Sequence, residues 1–445
     1  MNRIKIKALE AEGHMTEPSN QIFNSSSLTK YPIGSLRELI VLSIPIILTL
    51  ICTHLTSFCD RIFLARYSLT AFEGCVSASF LCLLFQVACI RLVSIAQVFV
   101  GQQKGQGASF EVGTYVWQMV WFSFFSLAIT LPVGLLMAPL YFAGTSVQDS
   151  GMMYFEGMMY ANFLFPLGAA LSSFFIGLGK TRFIVCAVLI SQGVHLLLDF
   201  LLIFGIHGLL PPLGVQGAII ATIFSQVLFC FILLSVFLRR SNREEYGTGS
   251  YRLKWDLLYQ SLKIGLPSAL GKLSVLCAWA ATAKIMVAKG EAYLSVLTIG
   301  SSFALFFLFI NEGIGKAITT IASYLIGAKK WDSLSWKLTQ STLKFLGILS
   351  LILFGPFILF PKTTLLFFFP SLPLGEQLQL LILSLGWIWI YAFTNGISFI
   401  GVGLLTATQQ TFFYMVICNL SWITYFIIFY GTNHFHWPAD RLWLV

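Results

Sequence analysis

A chain of 445 residues that is 57% hydrophobic and only 10% charged, with apolar runs of about 20 residues, matches the thickness of a bilayer core rather than a soluble fold. Its net charge of +9 does not imply nucleic acid, because the basic residues sit in short connections beside apolar runs, where they act as topology signals. Nine cysteines are scattered, with Cys82, Cys186 and Cys277 inside apolar runs, and lack the spacing of a zinc site or a disulfide framework.

In chain order, residues 1–35 are polar, lack the apolar core of a signal peptide and read as a cytoplasmic tail. Apolar runs at about 39–64, 76–99, 115–140, 152–176, 183–205 and 214–238 then predict six spans. Runs such as Gly214 to Leu238 stay apolar at every periodicity, which argues against the alternating strands of a barrel. The segment RRSNREEYGTGSYRLKWD, 239–256, is the most polar interior stretch and divides the chain. Five more runs follow at about 258–288, 294–326, 340–361, 377–405 and 412–431. Connections on the side of the amino terminus carry sixteen Lys and Arg against four on the other, which predicts a cytoplasmic amino terminus. The expected organisation is a tail over 1–35, a first lobe over 36–238 with spans one to six, a cytoplasmic linker over 239–256 and a second lobe over 257–445. That second lobe would hold spans seven to eleven and the start of a twelfth.

The halves repeat. Pro45, early in the first span, corresponds to Pro267 in the seventh, and Gly105 after span two corresponds to Gly327 after span eight, both at an offset of 222 residues. Six spans before the second half make the repeats parallel, with a cleft between the lobes as the substrate route.

Ionisable residues inside the runs include Asp60, Arg61, Arg91, Glu156, His195, Asp199, Lys272, Lys284, Glu312 and Lys316. Asp199 stands out, because an Asp at the centre of a spanning helix costs roughly 2.5–3.5 kcal/mol on insertion scales and so marks a cavity, a partner or an ion path. His195, four residues earlier, shares its helical face; the alternative is a structural hydrogen bond to a neighbouring helix. Glu312 and Lys316 are spaced to neutralise each other, while Lys272 and Lys284 would snorkel or line the cleft. GLGKT at 177–181 lacks the earlier glycine and the preceding strand of a phosphate-binding loop. No HExxH motif or nucleophile elbow occurs, so no enzyme is expected.

The segments GLGKTR at 177–182, LLLDFLLIFG at 196–205 and PPLGVQGAIIAT at 211–222, with SIP at 43–45, CDRIFLAR at 59–66 and VGQQKGQG at 100–107, resemble the multidrug and toxic compound extrusion (MATE) family of the multidrug/oligosaccharidyl-lipid/polysaccharide flippase superfamily. The resemblance implies an all-α polytopic membrane protein with two pseudo-symmetric six-helix lobes around a V-shaped cleft. Because RLWLV at 441–445 would only begin a twelfth span, that helix is expected to be missing or cut short. By position, Asp60 and Asp199 match the family's cation site, with Asn162 and Thr222 as polar companions. His195 stands where many relatives carry Asn, which leaves the choice between proton and sodium open, because His binds a proton itself. Val275 and TATQQT at 406–411 stand where sodium-linked relatives have acidic residues, so a sodium site in the second lobe would need Glu312.

The resulting expectation is an antiporter of the cell (inner) membrane exporting amphipathic, often cationic, organic compounds in exchange for protons or sodium. Its cation site would comprise Asp60, Asp199, His195, Asn162 and Thr222, and Arg91, Lys272, Lys284 and Glu312 would lie along the substrate path. Sodium at Asp60 and Asp199 is the one metal considered, no cofactor is expected, and the partners are the lipid bilayer and small organic substrates, without nucleic acid or an evident obligate protein partner. The alternatives are a flippase for a lipid-linked precursor, which basic cleft residues would favour, and a transport-inactive membrane scaffold.

Overall fold

The computed structural model describes residues 28–206, 208, 210–370 and 375–433. Most of the expected tail and the start of a twelfth span lie outside them. The first half comprises α1 (Leu36–Tyr67), α2 (Leu69–Val93), α3 (Ala96–Gln106), α4 (Val112–Phe142), α5 (Gln148–Tyr160), α6 (Leu164–Gly177), α7 (Thr181–Phe204) and α8 (Val215–Phe237). After the short α9 (Arg240–Tyr246), the second half has α10 (Trp255–Lys289), α11 (Glu291–Gly327), α12 (Trp331–Phe354), α13 (Pro361–Phe368), α14 (Glu376–Ala407) and α15 (Thr411–Asn433). Among the described residues, ten helical stretches are long and apolar enough to cross a bilayer, and the pair α5 and α6, bent by 45°, makes an eleventh. The sequence divides the spans in the same way, six before the polar segment and five after it. Strand structure is confined, among those residues, to one isolated bridge between Ile206 and Leu210. The chain is an all-helical, multi-pass membrane protein, and its outward apolar surface agrees: Leu140 is 84% exposed and Phe367 78%, tolerable against lipid but not against water.

Local chemistry sets the ends of these helices. Ser35 caps α1 by accepting from the Glu38 N–H at 3.3 Å, while the Glu38 carboxylate accepts from the Gly34 N–H at 2.7 Å, which satisfies donors that a helix start leaves open. Gly107 (φ +78°) follows α3, and Lys329 (φ +55°), 222 residues later, follows α11. Gly179 (φ +74°) before α7 has its counterpart in Gln409 (φ +62°) before α15. The repeat therefore preserves left-handed stops even where the second half lacks the glycine that favours them.

The contact between α3 and α11 reveals the symmetry. A Cβ on Gly105 would collide with the Tyr324 carbonyl oxygen, and one on Gly327 with the Gln102 carbonyl oxygen. Tyr324 is Gln102 plus 222, so the two collisions are the same contact seen from either half. A Cβ on Gly101 would come within 2.8 Å of the Cβ of Ser323, its own counterpart, which puts this pair on the pseudo-two-fold axis. Reciprocity of this kind is the mark of an isologous interface. The flanking crossings follow the same logic: Gly313 of α11 lies against Ile47 of α1, and Gly265 of α10 against the Leu92 carbonyl of α2.

Packing explains the shape. The largest apolar cluster spans both halves at this end, with Leu42 of α1, Val98 and Val100 of α3, Phe174 of α6, and Ile318 and Ile321 of α11. Towards the other end the halves keep separate clusters. Leu64, Ile203 and Ala218 pack in the first half, whereas Met286, Val296 and Leu381 pack in the second. Two lobes joined at one end and independently cored at the other form a V.

The segment after α8 lies along α4. Trp117 Nε1 donates to the Thr248 carbonyl at 2.7 Å, Trp121 Nε1 to that of Tyr251 at 2.8 Å, and the Lys254 N–H to Gln118 Oε1 at 2.9 Å. Lys180 and Lys104 stand 4.9 and 5.6 Å from the centroid of the buried Tyr246 ring, and Lys104 pairs with Glu245 at 3.8 Å. Burial pulls the Lys180 ammonium below its ordinary pKa, and Glu245 opposes that shift.

Gly105→Ala and Gly327→Ala should each destabilise the folded protein by about 1–3 kcal/mol, the usual range for forced overpacking, seen as a lower melting temperature in detergent. Gly347→Ala is the control: nothing lies within 4 Å of a Cβ there, so its melting temperature should hold or rise slightly.

Candidate functional site

The site forms where α1, α7 and α8 meet. The helices α7 and α8 pack closely because a Cβ on Gly217 would stand 2.6 Å from the Leu202 carbonyl carbon, and the turn between them uses Gly214 at φ +54° against Tyr67. On α7, His195 and Asp199 present one face and both are buried, Asp199 completely. Asp60 of α1 is half-buried beside them, while its neighbour Arg61 points to the exposed side. His195 Nε2 lies 3.4 Å from Asp199 Oδ2 and 3.9 Å from Asp60 Oδ2. One ligand atom from each of the three lies within 4.8 Å of the others. Thr222 of α8 completes the group, its Oγ1 3.2 Å from His195 Nε2.

Hydrogen-bond accounting shows what this site lacks. The Thr222 hydroxyl donates to the Ala218 carbonyl at 2.8 Å, which uses its single proton, so towards His195 its oxygen can only accept. That assigns the proton to Nε2, and one N–H then faces the hydroxyl and both carboxylates. Asp60 Oδ1 and both oxygens of Asp199 are buried without a hydrogen-bond partner among the described residues. Three buried acceptors short of donors suit a proton or a small hard cation, because carboxylate and hydroxyl oxygens are hard ligands.

Asn162 comes from other helices. It lies at the break between α5 and α6, fully buried, and neither its amide nitrogen nor its oxygen has a hydrogen-bond partner among the described residues. It therefore makes no direct hydrogen bond to Asp60, His195 or Asp199.

A second charged group forms between the halves. Arg91 of α2, with Glu312 and Lys316 of α11, lines a cavity of about 30 Å³ that Gln97 and Ser268 also border. Lys316 Nζ is 3.5 Å from Glu312 Oε1, the pairing that their spacing predicts. Lys272 of α10 lies within electrostatic range of Glu312, Arg91 and Lys316. Two members escape sequence reasoning. His54 of α1 stacks on Phe309 of α11 with centroids 3.7 Å apart and acts electrostatically on Glu312; Tyr414 of α15 sits beside Arg91. No spacing in the sequence links α1 or α15 to this point. Lys284 is exposed on α10, twelve residues or about 18 Å beyond Lys272, apart from the cluster.

Fold and site together define a polytopic helical membrane protein of two pseudo-symmetric halves with charged groups buried inside its spans. The family model described as MatE matches residues 267–430. The chain is 26% identical over 292 residues to the probable multidrug resistance protein NorM of Thermotoga maritima, a match covering 64% of this chain and 62% of that protein. It is 28% identical over 185 residues to the probable multidrug resistance protein NorM of Bacillus subtilis, covering 39% and 40%. The matched stretch thus spans less than two thirds of either relative. The fold is similar to the outward-facing conformation of a multidrug resistance MATE family transporter of the MOP superfamily, with a TM-score of 0.80 at 16% identity over 93% of this chain and 92% of that one. Residues 267–430 thus resemble the MatE family, and the fold of the chain is that of the solved MATE transporter.

Thr222→Val removes the oxygen that His195 Nε2–H faces. Losing one such hydrogen bond is worth about 1 kcal/mol, so the affinity of this site for a proton or sodium, measured in reconstituted protein, should fall about fivefold, with Thr222→Ser restoring it.

Proposed function

We propose that the protein is a secondary active antiporter of the cell membrane, a transporter rather than an enzyme, that exports amphipathic organic compounds in exchange for protons or sodium. The observation that carries this reading is the donor-poor pair Asp60 and Asp199, held with His195 and Thr222 inside a membrane-spanning lobe. In this reading the two carboxylates take up the coupling cation, His195 shares its proton with them, and Thr222 fixes the ring. Sodium would be held by the oxygens of Asp60, Asp199 and Thr222 and would supply the missing positive charge. The cation biases the lobes between inward- and outward-facing states because it binds the two states with different affinities. Asn162, buried with an unpartnered amide at the break between α5 and α6 of the same lobe, is in this reading a further polar companion of the cation site.

For orientation, we propose that the amino-terminal tail and the linker over 239–256 are cytoplasmic, on the strength of the sixteen to four Lys and Arg bias. The shared core then lies on the cytoplasmic side and the separately cored ends face outward. The flippase reading keeps one supporting observation, the basic side chains of Arg91, Lys272 and Lys316 between the halves.

The test is transport in vesicles under an imposed pH gradient and, separately, an imposed sodium gradient. Asp60→Asn and Asp199→Asn should each abolish gradient-driven transport at matched protein levels, with insertion and elution profile retained. His195→Asn should be milder and shift the pH optimum. Wild-type coupled rates in both Asp variants would overturn the assignment and leave Asp199 a structural residue.

A further inference from the structure

We propose that the cluster of Arg91, Lys272, Lys316 and Glu312 between the halves is a binding site for an anionic group, carboxylate or phosphate, on the transported molecule, so that the substrates include anionic or zwitterionic amphiphiles. This deepens the exporter reading and rests on it.

Charge balance comes first. Three basic side chains surround one carboxylate. Glu312 is committed to Lys316 at 3.5 Å, which leaves Arg91 and Lys272 without an acidic side chain of their own in the cluster. Arg91 cannot relieve this by losing a proton, since a guanidinium stays charged in proteins. Its Nε is buried with no hydrogen-bond partner among the described residues, and the side chain borders the cavity. An uncompensated cation inside a membrane protein is costly and normally marks a partner or a path. Tyr414, beside Arg91, offers a phenol oxygen, and His54 adds a further imidazole facing Glu312. Neither supplies a negative charge. A guanidinium hydrogen-bonded to Tyr414 but with its Nε–H unpartnered suits a carboxylate or phosphate oxygen.

Position comes second. Gln97 Nε2 donates to the Lys316 carbonyl at 2.7 Å and to Thr320 Oγ1 at 2.9 Å, tying the cluster to the α3–α11 crossing. Lys316 is seven residues, or about 10 Å, from Ser323 on the pseudo-two-fold axis. The cluster is thus the floor of the V, where the lobes diverge. The cavity of about 30 Å³ accommodates a water or two, or the charged end of a molecule whose apolar body extends between the lobes. Arg91 comes from the first half and the other three from the second, so a bound anion touches both lobes and is held differently when they rock apart. That difference is what a transported ligand requires.

The test is equilibrium binding to the full chain in nanodiscs without a gradient, so that it can fail while coupled transport stands, or stand while transport fails. The probes are decanoate, decyl phosphate and decyltrimethylammonium, read by intrinsic tryptophan fluorescence. Both anions should bind at least about tenfold more tightly than the cation, a difference of about 1.4 kcal/mol. Arg91→Gln and Lys272→Gln should each weaken anion binding by about tenfold, with Arg91→Lys recovering part of it. Glu312→Gln is the decisive variant, because removing the one like charge should tighten anion binding severalfold, a gain that misfolding does not produce. Gly347→Ala, where nothing lies within 4 Å of an added Cβ, should leave anion binding unchanged. Displacement of decyl phosphate by soluble dihexanoylphosphatidate would identify a lipid phosphate as the natural occupant, and no displacement a free amphiphile; both support the anionic site. Tighter binding of decyltrimethylammonium, unchanged anion binding in Arg91→Gln and Lys272→Gln, or weaker anion binding in Glu312→Gln would overturn it. Full displacement of decanoate by equimolar chloride would also overturn it, reducing the cluster to a site for an inorganic counter-ion.

Discussion

The backbone-to-backbone contact of α3 with α11 is the constraint on which the rest of this structure depends. Two glycines, Gly105 and Gly327, let the helices approach until neither position has room for a Cβ. Helix association in lipid gains little from apolar burial, since lipid tails are as apolar as leucine. Close packing of small residues and interhelical hydrogen bonds therefore do most of the joining. Both occur here: Gln97 reaches the Lys316 carbonyl, Gln102 Nε2 donates to the Ala407 carbonyl at 3.0 Å, and Gln409 Nε2 donates to Gln102 Oε1 at 3.0 Å. Because the polar seam lies at one end, the apolar clusters of the two halves are free to separate at the other.

Buried charge is divided between two places according to what each lacks. The Asp60, His195 and Asp199 group has more acceptors than donors, whereas the Arg91, Lys272, Glu312 and Lys316 group has more cations than anions. A soluble protein would relieve both with water. Within membrane-spanning helices such imbalances persist when a mobile partner arrives from outside, and the partners proposed are a cation in the first case and an anionic group in the second. The two groups therefore complement one another in sign, and neither is merely a variant of the other.

The features that sequence made legible were those carried by local spacing. Span positions, the i,i+4 pairs His195–Asp199 and Glu312–Lys316, and the offset linking Gly105 to Gly327 all follow from helical or repeat periodicity. The break at residues 161–163 did not show, because the apolar run passes through it without a proline or glycine at the bend. Nor did the left-handed stops at Lys329 and Gln409, since neither residue type advertises a positive φ. The meeting of Arg91 with Lys272, His54 and Tyr414 was hidden for another reason: α1, α2, α10, α11 and α15 converge there only through the crossed packing of the halves. Asp60 and Thr222 beside Asp199 came from a family resemblance, and composition alone would not have selected them.

Helix α1 connects the two charged places. It carries Asp60 in the first lobe's site and, six residues or about 9 Å earlier, His54 stacked on Phe309 of the second half. Further down, Ile47 lies against Gly313 of α11. Pro45 sits below these contacts and has no N–H to complete the helical ladder, while Thr49 Oγ1 donates to the Pro45 and Ile46 carbonyls at 2.9 and 2.7 Å. Such a point is a natural place for a helix to bend. In the proposed exchange cycle, a cation arriving at Asp60 relieves the acceptor excess at the upper end of α1. Any resulting shift of that end about Pro45 moves His54 against Phe309 and Glu312, and so reaches the floor of the V through a single helix. The structure shows one arrangement of that contact, His54 stacked on Phe309; coupling along α1 in the proposed cycle would require a second, with the rings apart, whose balance the cation at one end and the occupant beside Glu312 at the other would bias.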